Sequence, residues 1–312
     1  MRKESTTNNV PIQEDIAGVA WLNTCPQVLM DTLQSHPPVT GLRRRITTLD
    51  YRYDYEGYLD KRSQVHVVAA ADGAVPRRVT GLAGGVSEIC WRPDGAAIAF
   101  VADPREDADL RPRTSIWEVA VTAGDGAEAV APDGAGTGAS DVLAAPREVL
   151  ALAGPVRAPA YSPDGRWLAA VGVDDPEYLD DLAPAVVVGP ADGSGPAATL
   201  APDLDRPVGD WADGDLNGWQ AEPRIAPRWD PAGDGVVCLV TDRGRTHPWR
   251  FPVDPATGRA GGDPERLAIG ESRAHAFATG SGRVAVLASL GSRPPEVCVP
   301  DGTGGLRAVS TI

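Results

Sequence analysis

The sequence predicts an all-β fold, a β-propeller of four-stranded antiparallel blades, and three observations predict it. The first is a recurring phrase: an aromatic residue, one polar residue, Pro-Asp-Gly, then an apolar run. It stands as Trp91-Arg-Pro93-Asp94-Gly95 before Ala-Ala-Ile-Ala-Phe-Val, and as Tyr161-Ser-Pro163-Asp164-Gly165 before Arg-Trp-Leu-Ala-Ala-Val. A looser copy begins Trp229-Asp-Pro231-Ala-Gly, and Phe277-Ala-Thr-Gly-Ser-Gly opens a fourth. Pro sets φ for the first turn position, Asp bonds back to the backbone, and Gly takes a φ that other residues reach only at a cost. Each phrase is therefore a tight turn between two apolar strands. The second observation is the spacing of the repeat aromatics, 70, 68 and 48 residues. The last suits a blade of about 40–50 residues, and the first two suit a blade with insertions. The third is composition: 35 Gly and 29 Pro in 312 residues leave little room for long helices.

The elements follow in order. Residues 1–40 lack the phrase and are read as an irregular leader; the propeller domain is read over 41–312. Ile46-Thr-Thr-Leu-Asp-Tyr-Arg-Tyr and Gln64-Val-His-Val-Val-Ala alternate as strands, and Arg77-Arg-Val-Thr is a short third one. The hairpin at Trp91 is followed by Ser115-Ile-Trp-Glu-Val-Ala-Val and Arg147-Glu-Val-Leu-Ala-Leu. The hairpin at Tyr161 is followed by Ala185-Val-Val-Val-Gly and Ala198-Thr-Leu. Behind Trp229 come Pro248-Trp-Arg-Phe-Pro-Val and Glu265-Arg-Leu; behind Phe277 come Glu296-Val-Cys-Val and Leu306-Arg-Ala-Val. Each set is a four-stranded meander, and about five are counted from residue 43 onward. A four-stranded sheet cannot cover both of its faces alone, so such units pack face to face. A ring this short leaves sheet faces unsealed unless it closes at low blade number, so self-association is expected.

Charge and cysteines bound the function. A formal charge of −14 and a pI near 4.7 argue against a nucleic-acid surface, which needs clustered Lys and Arg. Cys25, Cys90, Cys238 and Cys298 show no C-x-x-C spacing and are expected as buried free thiols. No run approaches the roughly 20 apolar residues of a membrane span, and no secretory h-region stands at the front. A cytoplasmic protein with no membrane or nucleic-acid partner is the expectation.

The phrase Tyr161-Ser-Pro-Asp-Gly-Arg-Trp-Leu-Ala resembles the repeat of TolB-like propellers and of the prolyl oligopeptidase family. Arg45-Ile-Thr-Thr-Leu-Asp-Tyr-Arg-Tyr-Asp-Tyr-Glu-Gly-Tyr-Leu resembles the opening strand pair of acylaminoacyl-peptidase-like members. Ala99-Phe-Val-Ala-Asp-Pro-Arg-Glu-Asp followed by Ser115-Ile-Trp-Glu-Val is similar to their next blade. Asp203-Leu-Asp-Arg-Pro-Val-Gly-Asp and Thr241-Asp-Arg-Gly-Arg-Thr-His are similar to later blades. The resemblance, over roughly residues 43–309, implies an N-terminal propeller, usually of seven blades, that caps an α/β-hydrolase domain and admits peptides to a Ser-Asp-His triad. It implies here a substrate-gating propeller truncated before the hydrolase domain, whose partner would be a hydrolase encoded separately or lost. A stand-alone TolB-like scaffold for a protein or ligand is the alternative.

No catalytic residue of that family can be placed on this chain. Gly-x-Ser-x-Gly, the spacing of a nucleophile elbow, does not occur in the sequence. Gly270-Glu-Ser272-Arg-Ala with His275 comes nearest and is read as a blade-connecting loop. No cofactor or metal is expected. Asp213-Gly-Asp-Leu-Asn-Gly218, with Asp203, Asp205 and Asp210 nearby, opens like a calcium loop but has Arg224 where the bidentate Glu belongs. It is read as an acidic solvated loop. His36, His66, His247 and His275 lack ligand spacing and are read as structural. Trp211 and Trp219 lie in the same acidic stretch, where an aromatic serves either to meet a partner or to pin the loop. Trp91, Pro93, Asp94, Gly95, Tyr161, Pro163, Asp164, Gly165, Trp229, Pro231 and Phe277 are the residues of the structural repeat.

Overall fold

A computed structural model describes residues 46, 49, 51–53, 57–58, 63–69, 76–82, 84–121, 144–175, 177, 184–212, 226–280 and 282–310. The leader at 1–40, Cys25, His36, Trp219 and the segment 213–224 lie outside them. The chain divides into two units, residues 1–86 with 121–145 and residues 87–120 with 146–312. None of the described residues is helical.

In the first unit two antiparallel pairs stand where the front blade is expected: β1 (Arg52–Tyr53) with β2 (Gly57–Tyr58), and β3 (His66–Val67) with β4 (Arg77–Arg78). The buried Thr80 hydroxyl accepts from the Val65 amide at 2.8 Å and donates to Gln64 Oε1 at 2.9 Å. That side-chain amide also takes the Leu82 amide and carbonyl, so the segment's polar backbone is satisfied as burial requires.

The second unit holds four antiparallel meanders among the described residues. Blade I is β5 (Ser87–Trp91), β6 (Ala97–Ala102), β7 (Ser115–Ala120) and β8 (Arg147–Leu150). Blade II is β9 (Val156–Tyr161), β10 (Trp167–Gly172), β11 (Ala185–Pro190) and β12 (Ala198–Thr199). Blade III is β13 (Arg228–Trp229), β14 (Gly235–Asp242), β15 (Arg245–Pro252) and β16 (Glu265–Arg266). Blade IV is β17 (Ser272–Gly280), β18 (Arg283–Leu290), β19 (Glu296–Pro300) and β20 (Leu306–Ala308). The opening strands β5, β9, β13 and β17 touch in succession, as they do when blades gather about an axis. One parallel pair, Thr246 with Arg273, continues blade III into blade IV as a single sheet.

The turns form as the phrase dictates. Gly95 and Gly165 take φ of 71° and 69°, and their amides close the turns onto Arg92 O and Ser162 O at 2.9 and 2.8 Å. Asp94 Oδ1 accepts the Ala96 amide at 2.9 Å, and Asp164 Oδ1 accepts the Arg166 amide at 3.0 Å. The looser copy has the same geometry: Gly233 has φ of 73° and bonds Asp230 O at 2.9 Å. Ala232 cannot make the Asp contact, and Arg250 instead braces this turn through Asp230 at 2.6 Å and Asp234 at 2.9 Å. The fourth copy departs from the others. Phe277 lies inside β17, and Gly280 pairs with Arg283 across a shorter turn with Gly282 at φ 68°.

Successive turns are also stacked. A Cβ added at Gly165 would lie 3.7 Å from Pro93 Cδ, and one at Gly233 would lie 3.7 Å from Pro163 Cδ. The prolines of the first two copies thus cover the glycines of the second and third.

The core follows from the period of two along a strand. On β10, Leu168 and Ala170 face a cluster with Val101, Ile116 and Leu150 of blade I. Ala169 and Val171 face the opposite cluster with Val236, Cys238 and Phe251 of blade III. Val187 and the Val186/Val188 pair divide in the same way on β11. Blade II is buried on both faces, which is why its strands read as continuous apolar runs rather than alternating ones. Each fully buried Val or Leu contributes on the order of 1.5–3 kcal/mol. The described cysteines Cys90, Cys238 and Cys298 are free thiols, and burial pushes that of Cys238 far up.

Candidate functional site

The joints between blades carry the chemistry, and they differ. Between blades I and II the repeat aromatic is Tyr161, and its hydroxyl donates to Glu118 Oε2 at 2.5 Å. Glu118 shares the face of β7 that carries Ile116 and is only 6% exposed. A carboxylate so placed needs partners. Arg147 donates to Oε1 from Nη2 at 2.6 Å and from Nε at 3.2 Å, and Arg92 Nη1 lies 3.7 Å from Oε2. Burial, then the bond to Glu118, pushes the Tyr161 phenol well above its ordinary range, so it remains a donor. A cavity of about 190 Å³ opens beside this cluster, lined by Arg92, Asp94, Arg147, Asp164 and Asp192. Its charges are mutually engaged. Asp94 holds Arg92 through both oxygens, and that bond with the Ala96 amide brings its carboxyl to about 2. Arg147 also reaches Asp192 O at 2.5 Å. The arrangement fastens two blades.

Between blades II and III the same positions carry different residues. Val188 pairs with Ala169 as Glu118 pairs with Ala99, so it occupies the place of Glu118. It faces Trp229, the repeat aromatic, in an apolar cluster. The indole donates to Ala160 O at 2.9 Å. Trp167 donates to Pro255 O at 3.0 Å and lies against Gly258, where a Cβ would come within 2.4 Å of the ring.

Between blades III and IV the joint is polar again. Asp210, 6% exposed, accepts Thr246 Oγ1 at 2.7 Å and both Nε and Nη2 of Arg273 at 3.1 Å. His247 Nε2 and Ser272 Oγ are 3.1 Å apart, both buried. Burial lowers the His247 pKa from 6.5, and a hydrogen bond with the Gly270 backbone opposes it.

Ser272 was expected in a connecting loop beside His275; it instead begins β17, and its partner is His247, 25 residues away. His275 bonds Ser289 Oγ at 2.8 Å. Neither serine stands on a strand-to-helix elbow, and both pairs bridge strands. Asp210 likewise departs from the solvated reading of the acidic stretch, because Arg273 reaches it from another blade. Trp211 is fastened through its indole to Val208 O and through its amide to Thr241 Oγ1, both at 2.9 Å, yet the residue stays 43% exposed. Among the described residues no three His, Cys, Asp or Glu side chains are grouped to hold a metal ion. No helix among them is long and apolar enough to cross a membrane.

Sequence reading missed Glu118, Arg147 and Arg273. The signal for Glu118 was present, a single acid inside the apolar strand Ser115-Ile-Trp-Glu-Val-Ala. Nothing local marked the others.

No family model and no curated protein matches the sequence. Solved structures do. A puromycin-hydrolysing peptidase of Mycobacterium tuberculosis matches with a TM-score of 0.54 and 20% identity, over 80% of this chain and 35% of that one. TolB of Acinetobacter baumannii matches with a TM-score of 0.47 and 14% identity, over 79% and 48%. A prolyl endopeptidase matches with a TM-score of 0.46 and 15% identity, over 82% and 34%. The chain thus spans between about a third and a half of the length of these structures. The likeness shows the fold: a β-propeller scaffold of four-stranded blades.

Proposed function

We propose that this propeller is the non-catalytic, substrate-gating part of a prolyl-oligopeptidase-like serine peptidase, working with a hydrolase supplied from outside the present sequence. The observation that carries the reading is the succession of stacked Pro-Asp-Gly blades superposing over 80% of the chain on a peptidase. The absence of Gly-x-Ser-x-Gly from the sequence accords with a gating role. A gate acts by excluding large substrates and leaves the chemistry to its partner.

The test is hydrolysis of chromogenic peptides and esters by the full chain, alone and mixed with an isolated prolyl-oligopeptidase-like hydrolase domain. Alone it is expected to be inert; mixed, it should confine hydrolysis to short peptides. Triad-type turnover by the chain alone, or a mixture that cleaves folded proteins as readily as peptides, would overturn the reading. A stand-alone binding scaffold is the second reading, favoured by the fastened and exposed Trp211. A stable partner captured without any hydrolase, and lost in Trp211→Ala, would put it first.

A further inference from the structure

We infer that a cleft at the other end of blade I binds an apolar carboxylate, the chemistry of the C-terminal end of a short peptide. The connection between β6 and β7 and the end of β8 enclose a cavity of about 450 Å³, lined among others by Asp103, Arg105, Arg113, Trp117, Glu148 and Leu152. That volume falls in the range of small-molecule sites, which pair an apolar wall with a few placed polar groups. Trp117 and Leu152 supply the wall. The indole is held by its own N–H, which donates to Ser115 Oγ at 2.9 Å.

The polar groups are unequally committed. Asp103 Oδ1 takes Arg105 Nε at 2.8 Å; its Oδ2 takes Arg105 Nη2 at 2.5 Å and the Arg113 amide at 2.9 Å. Arg105 further reaches Arg111 O at 2.6 Å and Asp107 at 3.6 Å, and Glu148 adds to the negative field upon it. Its charge is spent within the protein. The Arg113 guanidinium has no carboxylate partner among the described residues. Of the charged side chains lining the cleft, Arg113 and Glu148 have no ion-pair partner among the described residues; Arg113 is the cation beside an aromatic and aliphatic surface, which suits a carboxylate next to a large apolar side chain.

The choice of a peptide as the source rests on the gating reading; the carboxylate chemistry stands on the cleft itself. Calorimetric titration of the full chain uses three probes: acetyl-Ala-Phe with a free carboxylate, the same peptide as its amide, and 3-phenylpropionate. The acid should bind saturably and about tenfold more tightly than the amide, the effect of one charge-assisted bond. Arg113→Gln, an exposed change whose folding is checked by circular dichroism, should bring the acid to the level of the amide. Trp117→Leu should weaken acid and amide alike. Equal affinity for acid and amide, an unchanged titration in Arg113→Gln, or no saturable binding would overturn the inference. Tighter binding of the peptide acid than of 3-phenylpropionate supports the peptide source, and equal binding overturns it in favour of a free aromatic acid. Binding is read on the chain alone and gating on the mixture with a hydrolase, so the two can fail separately.

Discussion

The joint between blades II and III is apolar at the repeat aromatic, whereas those on either side add hydrogen-bonded charge to their buried carbon. The first two joints use the same backbone repeat. In the dry joint Val188 meets Trp229, and in the first polar joint Glu118 meets Tyr161 from the equivalent strand position. The repeat fixes that an aromatic reaches back to the preceding blade. The chemistry at the point of contact is left open and is chosen as a pair. A tyrosine hydroxyl in an apolar joint would be orphaned, and a buried glutamate opposite an indole carbon surface would lose its donor.

The comparison can be broken most forcefully at the dry joint. Trp229→Ala removes a buried indole and its bond to Ala160 O, and should cost about 4 kcal/mol in urea unfolding. A loss under about 2 kcal/mol would mean that the joint contributes little to stability. Next in size is Glu118→Val. Breaking a buried ionic cluster costs about 3–5 kcal/mol, but the side chains of Arg147 and Arg92 are 47% and 32% exposed and can turn to water. About 2 kcal/mol is expected. Adding Tyr161→Trp should recover at least half of it by recasting the joint as its neighbour; a double variant no better than the single would show that the two residues are not chosen as a pair.

A smaller effect tests the shared turns. Gly165→Ala forces a side chain to φ of 69°, with Pro93 Cδ at a tolerable 3.7 Å, and should cost about 1 kcal/mol. Gly258→Ala should cost more, because its Cβ would collide with the Trp167 ring. Equal melting temperatures for the two variants would remove the distinction between a turn glycine and a joint glycine.

The smallest effect sharpens the third joint. The pKa of His247 is depressed in the fold, so the unfolded chain binds its proton first on acidification. Stability is then fully present above pH 6.5 and declines below it, at no more than about 1.4 kcal/mol per pH unit for one proton. The carboxyls lowered from 3.8, such as Asp164 and Asp254, begin to cost stability only below that value. Denaturation midpoints between pH 7 and 5 should therefore fall in the parent chain and stay flatter in His247→Gln. A parent profile without slope in that window would contradict the assignment.

What the sequence made legible was local. Pro93-Asp94-Gly95 and Pro163-Asp164-Gly165 state their turn geometry outright, because each constraint acts within four residues. Blade order followed from their recurrence. The Phe277 copy lacks Pro and Asp, and without them its turn closed differently. The polar joints were illegible for the converse reason. His247 and Ser272 lie 25 residues apart, Asp210 and Arg273 lie 63 apart, and nothing in the vicinity of either announces the other. Ser272 drew attention through a neighbouring histidine, and the fold gave it a different one.

The stacking of Pro93 on Gly165 and of Pro163 on Gly233 bears on how such a chain can grow. The Tyr161 copy carries both halves of the contact, a donor surface facing forward and a receiving surface facing back, as in a head-to-tail assembly. A tandem duplication of the underlying gene segment would produce a module that fits its parent at birth, with no compensating mutation at the seam. Later divergence is then free to act on the joint residues one pair at a time. That history would leave the pattern seen here: conservative turns, and seams that disagree in their chemistry.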